Sequence, residues 1–167
     1  NVPDNIFHFK TILITGGAGF VGSAVARHLL KTTDAHIVNI DALTYAANPM
    51  TIKELDFYSQ HHFVHANICD KTALESILTE HTPDLVIHLA AESHVDRSID
   101  EPSTFVETNV MGTYALLETA TAYLQKISGL TREQFRFIHV STDEVYGALE
   151  TEGLFSEESP YRPTSPY

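Results

Sequence analysis

The sequence predicts a doubly wound α/β fold: a Rossmann-type parallel sheet with helices on both faces. Three observations predict it. Short β-rich runs alternate with helical patterns along the chain. The runs are apolar without strict alternation, as strands covered on both faces are. The first run passes directly into a glycine-rich turn that opens a helix. At 167 residues there is room for one such domain and not two.

The elements follow in order. Residues 10–15 (KTILIT) read as a buried strand. Val21, Val25, His28 and Leu29 then recur at helical spacing. Residues 35–40 (AHIVNI) form a second strand and residues 61–65 a weaker third. A helix over 71–80 ends before Pro83. Residues 84–89 (DLVIHL) are the fourth strand and residues 136–140 (RFIHV) the fifth. Between them the longest helix is expected over 103–125. Val106, Val110, Tyr114, Leu117 and Leu124 share one of its faces, and Ser103 after Pro102 serves as its N-cap. Residues 148–167 carry four Glu and three Pro with no period, and by themselves read as an acidic, solvated linker.

Composition excludes several classes. Apolar residues make up 43% and charged ones 19%, enough for a packed core and against disorder. The formal charge of −12 repels phosphate backbones and anionic lipid, which argues against nucleic acid and membrane surfaces as partners. No uncharged apolar run approaches the ~18 residues of a membrane span. The first ten residues, NVPDNIFHFK, lack the basic start and apolar stretch of a secretory signal. The single Cys69 forbids an internal disulfide and suits a reducing compartment, so a cytoplasmic location is expected.

The glycine turn is the strongest local signal. Gly16-Gly17-Ala18-Gly19-Phe20-Val21-Gly22 satisfies both G-x-G-x-x-G and G-x-x-G-x-x-G. A lone match is weak, but this one sits between a strand and a helix, where a pyrophosphate can meet free N–H groups and the helix dipole. Gly19 would let the phosphate approach the backbone, and Gly22 would let the helix pack on the sheet. Asp41 ends the second strand roughly 20 residues later, where a carboxylate binds both ribose hydroxyls of NAD and repels a 2′-phosphate. The competing reading is a glycine turn with an unrelated Asp helix cap. Residues 1–167 are thus expected to be an NAD-binding domain.

Two further stretches fall at the carboxyl edge of the sheet. Residues 88–98 (HLAAESHVDRS) follow the fourth strand, and small Ala90 and Ala91 would admit a nicotinamide. Residues 141–147 (STDEVYG) follow the fifth. On an extended backbone, adjacent Asp143 and Glu144 would point apart and serve two separate protons, one as acid and one as base. A helix N-cap box with solvated acids reads equally well from spacing alone. The histidines, among them His61, His62, His65 and His88, form no H-E-x-x-H and pair with no cysteine cluster. They are read as packing or surface residues, and no metal is expected.

On ITGGAGFVGSA (14–24), NIDALTYAAN (39–48), HLAAESHVDRSI (88–99), ETNVMGTYALLE (107–118) and STDEVYG (141–147), the chain closely resembles the dTDP-glucose 4,6-dehydratases of the extended short-chain dehydrogenase/reductase family. The likeness runs from Thr11 to Tyr167. It implies NAD as cofactor and dTDP-glucose as substrate. Gly16, Gly19, Phe20, Val21 and Gly22 would meet the pyrophosphate. Asp41, Ala42, Leu43 and Thr44 would hold the adenosine ribose, and Asn67 and Ile68 the adenine. Leu89, Ala90, Ala91, Glu92, Ser93 and Thr108 would line the remaining cofactor. Ser93 would also touch the sugar, and Thr142 would hydrogen-bond its O4.

The resemblance makes Asp143 the general acid, Glu144 the general base and Tyr167 the tyrosine of a Y-x-x-x-K motif, on both sugar and cofactor. The implied reaction oxidises C4, eliminates water across C5–C6 and returns hydride to C6, giving a 4-keto-6-deoxy sugar of the kind used for rhamnose-type polysaccharide. Asn67 stands where the family usually has Asp, and an amide still reaches an adenine amino group. The motif lysine and the nucleotide-sugar half lie beyond the 167 residues, so the chain reads as a fragment with little turnover alone. A homodimer is implied for the whole enzyme. The alternatives are another extended reductase, a UDP-sugar epimerase or UDP-glucose dehydratase, and a non-catalytic NAD-binding module.

Overall fold

The computed structural model describes residues 9–149 and 153–167, apart from the side chains of Val95 and Leu130. The opening segment read above for a secretory signal lies largely outside them, as do Glu150 and Glu152 of the acidic stretch. Five parallel strands form one sheet: β1 (Thr11–Thr15), β2 (His36–Asp41), β3 (His61–His65), β4 (Leu85–His88) and β5 (Arg136–His139). Their order is β3-β2-β1-β4-β5. The chain therefore reverses its direction of growth at β1, and the crevice between the β1 and β4 ends is where such sheets take ligands.

The helices are α1 (Phe20–Thr32), α2 (Pro49–Leu55), α3 (Lys71–His81), α4 (Val95–Asp100), α5 (Pro102–Phe105), α6 (Thr113–Lys126) and α7 (Gly129–Gln134). Two apolar clusters sandwich the sheet. One gathers Leu13, Val38, Ile40 and Val86 against Leu74 and Leu78 of α3 and Leu116, Ala120 and Tyr123 of α6. The other sets Ile12, Ile14, Ile37 and Leu85 against Ala26 and Leu30 of α1 and Leu55 of α2. Successive β1 residues thus face opposite layers, which is why the strand reads as unbroken apolar sequence. Each fully buried Leu or Ile contributes roughly 1.5–3 kcal/mol.

Several elements differ from the sequence expectation. The buried face of α1 is Gly22, Ser23, Ala26 and Leu30, while Val21 and His28 face solvent and Val25 and Leu29 are half-buried. Small residues face the sheet because the helix lies close to it. The single helix expected over 103–125 is three pieces: α5, a π-helical stretch over Val106–Gly112, and α6. Ser103 is not its cap. Glu101 holds that position with Pro102 at the first helical residue, and no side chain caps the N-terminus. The stripe Val106, Val110, Tyr114 and Leu117 is exposed at 43–57%, and only Leu124 packs on the core. Residues 148, 149 and 153–167 form no helix or strand, but they are not merely a solvated linker. Arg162 donates its backbone N–H to Val145 O at 2.9 Å, and Tyr146 stacks on Phe155 and meets Tyr161.

Candidate active site

The glycine turn is built by exclusion. Gly16 sits at φ +76°, a conformation glycine adopts without penalty, and a Cβ there would press on the Ala90 backbone at 2.7 Å. A Cβ at Gly22 would strike the Gly16 carbonyl at 2.1 Å, and one at Gly17 would strike Asn39 Oδ1 at 1.9 Å. At Gly19 it would stand 3.3 Å from the Gly16 oxygen. Gly19 is also the N-cap of α1 and offers no side chain to its first N–H groups. Phe20 and Val21 stand at the mouth, 93% and 55% exposed.

Asp41 ties this turn to the loop that follows β2. Its Oδ2 accepts the Ala18 N–H at 2.9 Å and its Oδ1 the Leu43 N–H at 2.8 Å. Each oxygen keeps a lone pair for a further donor. Leu43 takes φ +52°, uncommon for a side-chain-bearing residue, with Ala42 half-buried and Thr44 exposed beside it. Past β3, the Asn67 side-chain oxygen accepts the Cys69 N–H at 2.9 Å, which leaves its NH₂ for other partners. Ile68 is buried, its side chain against Gly112, so only its backbone could meet a ligand.

The loop after β4 is braced from the π-helical stretch. Asn109 accepts the Glu92 N–H at 2.8 Å and donates to Glu92 O at 2.9 Å. This wide helical turn carries Thr108, half-buried, next to the bracing residue. Leu89 and Ala90 are half-buried and Ala91 and Ser93 exposed, whereas the Glu92 side chain is buried. His88 beneath them is not simply a packing residue. Thr15 Oγ1 accepts the N–H groups of Leu89 and Ala90 at 3.3 and 3.2 Å. Its own hydroxyl is left to donate to His88 Nδ1 at 2.7 Å, and His88 Nε2–H donates to Thr113 Oγ1 at 2.9 Å. The ring is 1% exposed. Burial, then neighbouring His139, pulls its pKa down to about 4, so it is neutral at pH 7.

The acid pair does not lie on extended backbone. Asp143–Tyr146 form a 3₁₀ turn with Thr142 as N-cap, whose Oγ1 accepts the Glu144 N–H at 3.2 Å. Of the two sequence readings, the helix N-cap gives the local geometry, with Thr142 as the cap. Three residues per turn set neighbouring side chains about 120° apart, so the two carboxyls still diverge. Asp143 is exposed and Glu144 half-buried. The turn follows β5, whose next residue Val140 bonds to His88 O, so it stands beside the loop after β4. A cavity of about 360 Å³ adjoins it, lined by Ser141, Thr142, Val145, Tyr146, Tyr161 and Pro163. Tyr167 is half-buried, with its ring edge-on to Phe105 at 6.2 Å. Among the described residues no group of three or more His, Cys, Asp or Glu is placed to hold a metal ion.

Sequence reasoning missed Asn109, the Thr15–His88–Thr113 relay, and a contact of Tyr45 with His94 and Arg97. Tyr45, His94 and Arg97 stood within the quoted motifs, but only the fold reveals what they touch.

The family model described as GDP-mannose 4,6 dehydratase matches residues 13–167. The chain belongs to that family. A dTDP-glucose 4,6-dehydratase of Neisseria gonorrhoeae is 50% identical over 159 residues, covering 95% of this chain and 46% of the relative. The dTDP-glucose 4,6-dehydratase DesIV of Streptomyces venezuelae, crystallised with NAD bound, superposes with a TM-score of 0.83 at 41% identity, covering 94% of this chain and 47% of the other. The UDP-Glc/GlcNAc 4-epimerase of Campylobacter jejuni superposes equally well, at 0.82 and 30% identity, over 95% and 44%. The chain thus spans about half the length of the relatives it matches. The fold by itself therefore does not separate dehydratase from epimerase.

Proposed function

We propose that this chain supplies the NAD-binding domain, and the acid–base pair, of a dTDP-glucose 4,6-dehydratase, a lyase. The observation that carries the reading is the Thr142-Asp143-Glu144 turn at the carboxyl end of β5, beside the crevice of the glycine turn. An epimerase returns hydride to the carbon that lost it and needs no acid for a departing hydroxyl. A dehydratase needs a base at C5 and an acid at C6, which two diverging carboxyls can provide.

The residues fit a dinucleotide. The turn at Gly16–Gly22 has no room for side chains, its helix start is uncapped, and Asp41 retains acceptor capacity at the ribose position. NAD bound there would take hydride from sugar C4 and return it to C6. Every other task falls to the chain. Gly19, Phe20 and Val21 border the pyrophosphate, and Asp41 with Ala42, Leu43 and Thr44 holds the ribose. Asn67 and the Ile68 backbone meet the adenine, while residues 89–93 and Thr108 border the nicotinamide half. Tyr167 removes the O4 proton and Thr142 holds O4. Once C4 is a ketone, the C5 proton is acidic; Glu144 takes it as Asp143 protonates the C6 hydroxyl, which leaves as water. A proton returns to C5 as hydride reaches C6, and atoms and charge balance.

The exposed stripe Val106, Val110, Tyr114 and Leu117 supports a homodimer of the whole protein. The one cysteine, partly buried and unpaired, supports the cytoplasm as its location. Among the described residues no helix is long and apolar enough to cross a membrane.

The test uses the longest protein carrying this sequence, with dTDP-glucose and NAD⁺. Glu144→Gln should lower formation of the 4-keto-6-deoxy product by about 10²–10⁴-fold without loss of NAD binding. Asp143→Asn should slow elimination while sparing oxidation at C4. Near-normal turnover in Glu144→Gln would refute the assignment, and a 4-epimer from the unsubstituted protein would favour the epimerase reading.

A further inference from the structure

The loops after β2 and β4 stand on opposite sides of β1, because β1 lies between those two strands. β1 itself ends in the glycine turn. A side-chain contact between the two outer loops therefore bridges that turn, and three residues make one. Tyr45, from the loop after β2, places its Oη 3.1 Å from His94 Nδ1, the residue before α4. The two rings meet edge to face at 5.3 Å. The Arg97 guanidinium lies over the Tyr45 ring, 3.9 Å from its centroid. Glu101 holds Arg97 one turn along, at 3.3 Å. Burial, followed by hydrogen bonding to Glu92, pushes the Tyr45 phenol up, so its O–H stays available as a donor.

Packing does not explain this arrangement. Tyr45 is 49% exposed and joins neither apolar cluster. Its loop is fixed at both ends to the glycine turn: Asp41 joins the N–H groups of Ala18 and Leu43, and Asn48 N–H bonds to Ala18 O at 2.9 Å. The tip between these anchors reaches across to α4. A dinucleotide held between Asp41 and residues 89–93 must pass the glycine turn, and so must pass this bridge.

We infer that Tyr45, with His94 and Arg97, is a clasp that retains a nicotinamide dinucleotide in the crevice, Tyr45 acting as a positioning residue. The inference rests on the reading that the crevice takes NAD. It supplies something the proposed reaction requires. The same cofactor is reduced and reoxidised within one turnover, so its escape in the reduced form would strand a half-processed sugar. Retention is a matter of dissociation rate, where most differences between related complexes arise.

The experiment loads the longest protein carrying this sequence with NADH and chases it with excess NAD⁺, following loss of bound-nicotinamide fluorescence by stopped flow. Tyr45→Ala should release NADH about tenfold faster with association changed less than about twofold. Tyr45→Phe keeps the ring under Arg97 and loses the hydroxyl, so it should give a smaller rise, and His94→Ala a similar one. The double variant Tyr45→Phe with His94→Ala should speed release by less than the product of the two single effects, because both remove the Tyr45–His94 bond. Damage to either loop alone would not produce that coupling. Release unchanged in Tyr45→Ala, or fully additive effects in the double variant, overturns the clasp and leaves the cofactor reading standing. Failure of the unsubstituted whole protein to take up NADH overturns both.

Discussion

At the scale of single residues, the site depends on side chains that serve the fold and the ligand together. The spacing of Asp41 after the glycine turn raises the expectation of a ribose ligand. The structure adds that it fastens the glycine turn to the next loop. His88 was legible only as a buried histidine, because its partners Thr15 and Thr113 lie far along the chain and no local pattern pairs them. Its burial has a consequence that can be measured. An unfolded histidine titrates near 6.5, and the folded ring near 4. Between those values the unfolded chain binds the extra proton, so stability falls as pH drops through that window, by about 3 kcal/mol at most. Urea midpoints measured from pH 7 to pH 4 should fall more steeply for the unsubstituted chain than for His88→Gln. Parallel declines would show that His88 is not the group responsible.

At the scale of elements, all five strands were legible: β1, β2 and β4 as apolar runs covered on both faces, and the less buried edge strands β3 and β5 as short β-rich runs between turns. Helix faces were less so. The stripe from Val106 to Leu117 lies on the longest helical pattern in the sequence, yet it points outward, while the core face of α6 is Leu116, Thr119, Ala120 and Tyr123. Periodicity shows that a face exists and not what covers it. The π-helical stretch was illegible for a related reason. An extra residue per turn has no compositional mark, but it sets Asn109 against the Glu92 backbone, and those two bonds together contribute about 1–3 kcal/mol. The outward stripe makes its own prediction. A shallow cavity of about 410 Å³ on α6 includes Tyr114 and Leu117. Leu117→Glu in the whole protein should convert a dimer to a monomer by sedimentation velocity; a monomeric unsubstituted protein, or an undisturbed dimer, would contradict the stripe as the interface.

At the scale of the whole molecule, the strand order, the glycine turn and the acid pair converge on one edge of one sheet. The order of strands was not written in any local segment; with crossovers of one hand, helices on both faces require the winding to reverse, and it reverses at β1. Once it does, the loops after β1, β2, β4 and β5 line up along one edge, and motifs scattered from residue 16 to residue 147 come to the same end of the sheet. The chain spans about half the length of its relatives, so its chemistry is tested in the whole protein. The most direct measurement runs that protein with dTDP-glucose and NAD⁺ in D₂O and examines the product by NMR. The account predicts a 4-keto-6-deoxy sugar with one solvent deuterium at C5 and the C4 hydrogen of the substrate recovered at C6. A product that keeps its C6 hydroxyl, or that carries no deuterium at C5, would contradict it.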